Sequence, residues 1–231
     1  MSKIYEALRT QVEVNRSKPT PVGEYQKIRM WLTAPTPGNQ RMQTVMVAAC
    51  HAGTGSTTTA SMLAATLAAG KKSRVLIIDG NFRTPSLNRV FKVKNNGGLT
   101  ETVSAGTPFE IHIQPTDRHN LFVLTTGSLS FVPSEVYEGE AIDQLIFHLK
   151  QKFDFIIFDA APLLEFPDAY ALAPRVDCVI LVIGSENTPI EGAQRAKRDL
   201  ERVGGNILGV VLNRQKDYTP ALVKRFLGPA Y

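Results

Sequence analysis

Three short stretches carry side chains whose types and order suit work on phosphate. The first, Cys50-His51-Ala52-Gly53-Thr54-Gly55-Ser56-Thr57-Thr58-Thr59, follows an apolar run and leads into a segment rich in Ala and Leu. A strand, a Gly-containing loop and a helix start in that order present free backbone N–H groups and the positive end of a helix dipole to an anion. The other two are aspartates that close apolar runs. Asp79 ends Val75-Leu76-Ile77-Ile78 and precedes Gly80-Asn81-Phe82-Arg83; Asp159 ends Phe155-Ile156-Ile157-Phe158 and precedes Ala160-Ala161-Pro162. Two carboxylates just past buried strands, near a phosphate loop, are what a Mg²⁺ ion needs for its oxygen shells.

Taken singly, each stretch has a plainer reading. The loop also reads as a strand-to-helix turn capped by Ser and Thr, and either aspartate as a cap on the helix that follows. Their conjunction favours a bound nucleotide, ATP or ADP with Mg²⁺. Gly53, Thr54, Gly55, Ser56, Thr57 and Thr58 are then the phosphate-binding positions, and Thr57, Asp79 and Asp159 the direct or water-mediated metal contacts. The complete loop consensus is G-x-x-x-x-G-K-[ST]. Here Cys50 stands at the first Gly and Ser56 at the Lys, so only Gly55 and Thr57 match.

The elements that must hold these residues follow from the pattern of apolar runs. From residue 44 onward such runs alternate with longer amphipathic or Ala-rich segments, as parallel strands buried on both faces and crossed over by helices do. Strands are expected at Thr44–Ala49, Arg74–Asp79, Leu121–Thr125, Phe155–Asp159, Cys178–Ile183 and Ile207–Asn213. Helices are expected to begin near Thr57, Pro85, Gly97, Pro133, Ala169 and Thr188. Right-handed crossovers then give an α/β fold, a doubly wound and mostly parallel sheet that takes ligands outside the carboxyl ends of its strands.

Residues 1–20 read as an amino-terminal arm and linker, with Ile4, Tyr5 and Leu8 in helical spacing before a Ser-Lys-Pro-Thr-Pro break. Residues 21–231 read as one domain. A helix over Glu24–Leu32 places Tyr25, Ile28 and Leu32 on one face, Trp31 reads as a packing residue, and Pro35, Pro37 and Gly38 end the element.

The chain of 231 residues is long enough to hide roughly 70% of its extended surface. Its 43% apolar and 20% charged composition excludes collagen-like and mostly disordered classes. Cys50 and Cys178 match no metal spacing and read as small buried side chains. The net charge of +5 is too scattered to argue for specific nucleic-acid binding. No apolar run approaches the ~20 residues of a membrane span, and Met1 to Thr10 lack a secretory core, so a cytoplasmic address is expected.

These stretches together resemble the cytoplasmic domain of bacterial tyrosine kinases, P-loop proteins of capsule and exopolysaccharide assembly, and in particular the exosortase-associated autokinases. Met1-Ser2-Lys3-Ile4-Tyr5-Glu6-Ala7-Leu8 is similar to that subgroup's amino-terminal segment, and Glu24-Tyr25-Gln26-Lys27-Ile28-Arg29 to its Glu-Tyr-Arg-x-Ile-Lys element. Asp79 to Leu87 resembles the family's D-x-D-x-R-x-P-x-L motif. Pro133-Ser134-Glu135, Asp168 to Asp177 and Leu208-Gly209-Val210-Val211-Leu212-Asn213 also match. The resemblance implies a P-loop fold, a peripheral location at the inner face of the membrane, and a partner in the cytoplasmic segment of a membrane polysaccharide copolymerase.

The departures from that family fall on its chemistry. Ser56 replaces the Lys that bridges the outer phosphates. An ion pair at ~4 Å and an effective dielectric near 20 is worth roughly 4 kcal/mol before desolvation, so turnover could fall about a thousandfold. Asn81 replaces the second aspartate, the family's candidate base, and an amide cannot accept the proton. Asp79, Asp159 and Arg83 remain as residual catalytic candidates. His51, near where related ATPases carry a second lysine, reads either as a partial charge or as a neutral capping residue. Asn213 reads as a base-edge contact or a turn cap. Tyr231 is a candidate phospho-acceptor or an incidental terminal residue, with Tyr218 the other tyrosine after residue 170.

A homo-oligomer is compatible with the resemblance. The family's E-x-x-R-x-x-R motif nevertheless falls on Gly23, Gln26 and Arg29, so only the last position is kept and no ring is inferred. The favoured expectation is a catalytically degenerate, kinase-like regulator. The alternatives are an active autokinase completed by a membrane partner's cation, and a partition or positioning type of ATPase that binds DNA or membrane nonspecifically. In that last reading, Lys224 and Arg225 beside Leu222, Val223, Phe226 and Leu227 would touch anionic lipid.

Overall fold

The computed structural model describes residues 21–34, 42–70, 73–127, 133–185 and 188–214. In chain order these form α1 (Pro21–Thr33), β1 (Thr44–Ala49), α2 (Ser56–Ala68), β2 (Val75–Gly80), α3 (Leu87–Val90), α4 (Leu99–Ser104), β3 (Gln114–Pro115) and β4 (Leu121–Leu124). There follow α5 (Pro133–Tyr137), α6 (Glu140–Lys152), β5 (Phe155–Ala160), α7 (Asp168–Leu172), β6 (Cys178–Gly184), α8 (Ile190–Arg202) and β7 (Ile207–Asn213). The strands make one sheet in the order β3-β4-β2-β5-β1-β6-β7. Every pairing is parallel except that of β3 with β4.

Every residue of β1, β2, β5 and β6 is buried, which is why these strands read as unbroken apolar runs. Side chains alternate between two cores. Val45, Val47, Val75, Ile77, Phe155 and Ile157 face α2, where Ala60, Leu63, Ala64 and Leu67 let the helix lie close, and Ile28 and Leu32 of α1 extend the same cluster. Met46, Leu76, Ile78, Ile156 and Phe158 face the opposite layer, built from Ile142, Leu145 and Leu149 of α6 and Ala193, Ala196 and Leu200 of α8.

The six expected strands are all present, and the doubly wound sheet is the one anticipated. The seventh, β3, was not expected: two residues ending in a proline at a sheet edge carry no alternation to detect. The helical stretch expected from Pro133 is two helices, broken before Glu140 by Gly139 at φ 96°. Trp31 corrects the packing expectation, since it is 36% exposed while Ile28 and Leu32 take the inward stripe. Cys50 and Cys178 are buried free thiols, each pushed up to about 12 by desolvation. The arm at 1–20, the breaker Pro35-Thr36-Pro37-Gly38, Tyr218, the basic segment at Lys224 and Arg225, and Tyr231 lie outside the described residues.

At the amino ends of the strands, away from the phosphate loop, one carboxylate stitches the central strands together. Asp177 Oδ2 accepts the N–H groups of Gln43 and Thr44 at 2.8 Å each, and its Oδ1 accepts Lys150 Nζ at 2.7 Å. Burial raises its pKa, but Lys150 and the two amides outweigh that and leave it below the ordinary carboxylate value. Its contribution is therefore present above the unfolded pKa and lost as pH falls through the lower folded value. We expect D177A to cost about 2–3 kcal/mol in urea unfolding at pH 7, with the gap to wild type closing below pH ~4. A gap that stayed constant down to pH ~2 would contradict this assignment.

Candidate functional site

The register of the sheet brings the singled-out residues to one end. Asp79 and Asp159 are direct partners on adjacent β2 and β5, and Val47 of β1 is the partner of Asp159 on its other side. Both aspartates fall at the positions that alternate toward α2, the helix that follows the loop. The loop leaves β1 at Ala49 and enters α2 at Ser56 through two left-handed glycines, Gly53 at φ 73° and Gly55 at φ 96°. Gly55 is doubly required. A Cβ there would lie 2.3 Å from Asn213 Nδ2, which donates to Thr54 O at 2.8 Å and so latches the loop to the end of β7. Asn213 Oδ1 accepts the Arg214 N–H at 2.9 Å, and one hydrogen of its amide is spent on the loop. Thr54 Oγ1 donates to His51 O at 3.0 Å inside the loop. Ser56, Thr57 and Thr58 form the first turn of α2, whose N–H groups have no intrahelical acceptor.

The two aspartates, alike in sequence, differ in their surroundings. Asp79 Oδ2 accepts the N–H groups of Ser86 and Leu87 at 2.9 Å each, and Oδ1 that of Asn81 at 3.3 Å. It therefore does cap the short helix α3. Burial raises its pKa, and those three donors and Arg89 pull it back. Asp159 is wholly buried, and neither of its oxygens has a hydrogen-bond partner among the described residues. Its pKa is pushed up to about 8, first by burial and further by Asp79, with the neighbouring Thr57 hydroxyl opposing the shift.

Thr57 Oγ1 in turn receives a long contact from Ser86 Oγ at 3.4 Å. Asn81, at the position of the family's second aspartate, closes its own turn: its Oδ1 accepts Thr84 N–H at 3.1 Å and its Nδ2 donates to Thr84 Oγ1 at 3.0 Å. Arg83 is turned to Asp168, at 2.9 Å, with its guanidinium 5.1 Å from the centre of the Phe166 ring.

Three participants escaped sequence reasoning. Tyr137, fully buried, donates its hydroxyl to Gly80 O at 2.9 Å, directly beside Asp79. Burial and then Asp79, Asp159 and Asp168 hold that phenol well above its ordinary pKa. A Cβ on Gly80 would lie 2.2 Å from the same hydroxyl. Ser86 lies within the Asp79 to Leu87 stretch, its N–H on Asp79 and its hydroxyl on Thr57, and Pro133-Ser134-Glu135 sits just ahead of Tyr137. Glu165 had no signal in the sequence at all. Its Oε1 accepts the Ala52 N–H at 2.8 Å and lies 3.6 Å from His51 Nδ1.

The residues present fit a magnesium ion. Asp159 is a buried carboxylate with both oxygens unsatisfied, beside a threonine hydroxyl, and a hard cation supplies what it lacks. No group of three or more His, Cys, Asp or Glu side chains converges on a metal position among the described residues. A cation here must therefore share its shell with another oxygen donor, as Mg²⁺ does with nucleotide phosphates.

A glycine loop between β1 and α2, followed at neighbouring strand ends by two aspartates, defines a P-loop domain. Residues 42–208 match the family model of an AAA domain, and the chain belongs to that family. It is 33% identical over 179 residues to tyrosine-protein kinase YwqD of Bacillus subtilis (strain 168), spanning 77% of this chain and 75% of that protein. It is 31% identical over 167 residues to the succinoglycan biosynthesis transport protein ExoP of Rhizobium meliloti (strain 1021), spanning 69% of this chain and 21% of ExoP.

Among solved structures, the chimerical protein CapA2B2 superposes with a TM-score of 0.79 at 29% identity, over 87% of this chain and 88% of that one. The septum site-determining protein MinD complexed with Mg-ADP, from Pyrococcus horikoshii OT3, gives 0.62 at 25% identity over 79% and 76%. The relatives are thus bacterial tyrosine kinases and proteins of polysaccharide biosynthesis. No helix among the described residues is long and apolar enough to cross a membrane.

Asp159 yields a sign that can be checked. Its folded pKa of about 8 lies above the ordinary value, so ionisation penalises the fold progressively from pH ~4 and fully above pH ~8. We expect D159N to raise stability by about 2 kcal/mol or more at pH 8 in magnesium-free, nucleotide-free buffer. The advantage should vanish near pH ~4 in thermal melts across that range. A variant no more stable than wild type at pH 8 would show that the carboxylate is solvated or paired.

Proposed function

We propose that this chain is a nucleotide-binding, kinase-like regulator of exopolysaccharide assembly whose capacity for phosphoryl transfer is weak or lost. The observation that carries the reading is the state of positive charge around a retained cradle. Gly53 and Gly55 keep the loop's left-handed geometry and Asp159 keeps an unsatisfied carboxylate, yet Ser56 stands at the lysine position. The stretch Cys50 to Thr59 holds no Lys or Arg, and Arg83 is committed to Asp168.

In this reading the amides of Gly53 to Thr58 hold the phosphates, with Asn213 fixing the loop from the nucleoside side. Thr57 and Asp159 hold Mg²⁺, which when bound neutralises phosphate charge. Asp79 acts at one remove, because its oxygens already accept three backbone N–H groups. Asn81 cannot take a proton from an incoming tyrosine hydroxyl, and its amide is occupied in holding Thr84. What is retained stabilises a bound nucleotide; what is missing would stabilise charge developing during transfer.

The partner proposed is the cytoplasmic segment of a membrane polysaccharide copolymerase, with the protein peripheral at the inner face of the membrane. The likeness to ExoP, named for succinoglycan biosynthesis and transport, supports it. Tyr231, outside the described residues, is the proposed acceptor if transfer occurs. An active autokinase that borrows a cation from that partner is the competing outcome.

Calorimetry and a coupled ATPase assay test the reading together. We expect saturable binding of Mg-ADP by the wild-type protein, ATP turnover at background, and no phosphate on Tyr218 or Tyr231 by mass spectrometry. S56K combined with N81D should raise turnover by about a hundredfold or more, since each restores a charge that the transition state uses. Wild-type turnover at the rate of lysine-bearing relatives would overturn the proposal. Turnover that appeared only with the partner's tail present would select the autokinase instead.

A further inference from the structure

The segment after β5 runs alongside the phosphate loop and is fastened to it. Leu163 N–H donates to Ala49 O at 2.9 Å and Leu164 N–H to Cys50 O at 3.1 Å, extending the contact past the end of the strands. The next residue, Glu165, reaches across with its side chain, and its Oε1 accepts the Ala52 N–H at 2.8 Å. The same oxygen lies 3.6 Å from His51 Nδ1, so the imidazole of the loop faces a carboxylate. A negatively charged group thus holds a backbone donor of a loop whose other donors are suited to an anion.

Which part of a nucleotide this affects follows from the order of the loop. The inner phosphates of a P-loop ligand rest on the amides leading into the helix, here Gly53 to Thr58. Thr57 and Asp159 are the residues that would hold a magnesium ion, which would supply positive charge to the outer phosphates. A third phosphate on a metal held by those residues would lie toward the end of β5, which carries Asp159, and the segment Leu163 to Glu165 follows that strand. Glu165 is anchored there on Ala52, the loop residue immediately before the cradle. A diphosphate stops short of it. A triphosphate brings further negative charge against a carboxylate, or has to break that carboxylate's charge-assisted hydrogen bond. The Glu165 side chain is 36% exposed, so it can leave without opening a void in the core.

We propose that Glu165 is a specificity-determining residue that biases the site toward a nucleoside diphosphate with Mg²⁺ and against the triphosphate. The inference rests on the nucleotide-binding reading above and specifies which nucleotide state the protein would report.

The test is calorimetric titration of the full chain, and of its E165Q and E165A variants, with Mg-ADP and with a non-hydrolysable Mg-bound ATP analogue. Glutamine keeps a carbonyl acceptor for the Ala52 N–H and removes only the charge. We expect E165Q to tighten the triphosphate analogue about five- to tenfold while Mg-ADP changes less than about twofold, with E165A showing at least the same selectivity change. Equal effects on both nucleotides, or none on either, with binding intact, would overturn the role of Glu165 and leave the nucleotide-binding reading standing. No binding of either nucleotide to any of the three proteins would overturn that reading and this inference with it. Thermal melts of the three proteins, expected to agree within a few degrees, show that the comparison is between folded chains.

Discussion

A carboxylate buried in the sheet with no donor near it, among the described residues, beyond the neighbouring Thr57 hydroxyl is the feature around which the site is arranged. Asp159 lies between β1 and β2, fully enclosed, with both oxygens unsatisfied and a second carboxylate as its strand neighbour. It must either hold a proton, as its pKa of about 8 implies at neutral pH, or be given a cation. Structural carboxylates elsewhere in the chain are treated differently. Asp177 has two amides and a lysine, and its pKa is lowered rather than raised. The sheet therefore maintains one deliberately unsatisfied acid at its carboxyl edge, a cost that a bound ion would remove.

The neighbouring aspartate shows how the sheet tolerates two acids in register. Asp79 is hydrogen-bonded by the backbone, which opposes the burial that raises its pKa: Ser86 and Leu87 at the start of α3, and Asn81 in the preceding turn, all point N–H groups at it. Those donors fix the loop from Gly80 to Leu87, and Tyr137 fixes its other side through Gly80 O. Asp79 thereby does structural work for the site whether or not a ligand is present. The division leaves Asp159 as the residue with coordination to spare; burial is the main cause of its raised pKa, and Asp79 adds to it from the next strand.

How much of this was legible in the sequence depended on whether the determinant was local. Strands buried on both faces announce themselves as apolar runs, so β1, β2, β5 and β6 were found within a residue of their ends, as was the partly buried but equally apolar β7, and the glycines and aspartates at those ends came with them. The sheet order brings Asp79 beside Asp159, and no local pattern encodes it. The contrast between the two aspartates was equally hidden, because it depends on where the Ser86 and Leu87 amides point after a chain reversal. Glu165 lay further from view. It is an ordinary exposed-type residue in a loop, and its bond to Ala52 spans 113 positions in the chain. Trp31 failed in the opposite direction, since residue type suggested packing while helical phase placed Ile28 and Leu32 inward instead.

Under the proposed reading, the ties among the loops give a use to the framework with Ser56 standing at the lysine position of the loop consensus. The loop of Gly53 and Gly55 is held by Asn213 from β7 and by Leu163, Leu164 and Glu165 from the segment after β5. That segment is joined in turn to the loop after β2 through Arg83 with Asp168 and Phe166. The ends of β1, β2, β5 and β7 are thus tied into one connected shell. Catalysis requires interactions that strengthen only as charge shifts in the transition state, and a mobile ammonium on the outer phosphates is of that kind. Fixed amides and a buried carboxylate with its cation are present in ground and transition states alike, and so favour occupancy more than rate. Under the proposed reading, a shell of this sort keeps its value without turnover: it converts the presence and length of a phosphate chain into the positions of loops that a partner can contact.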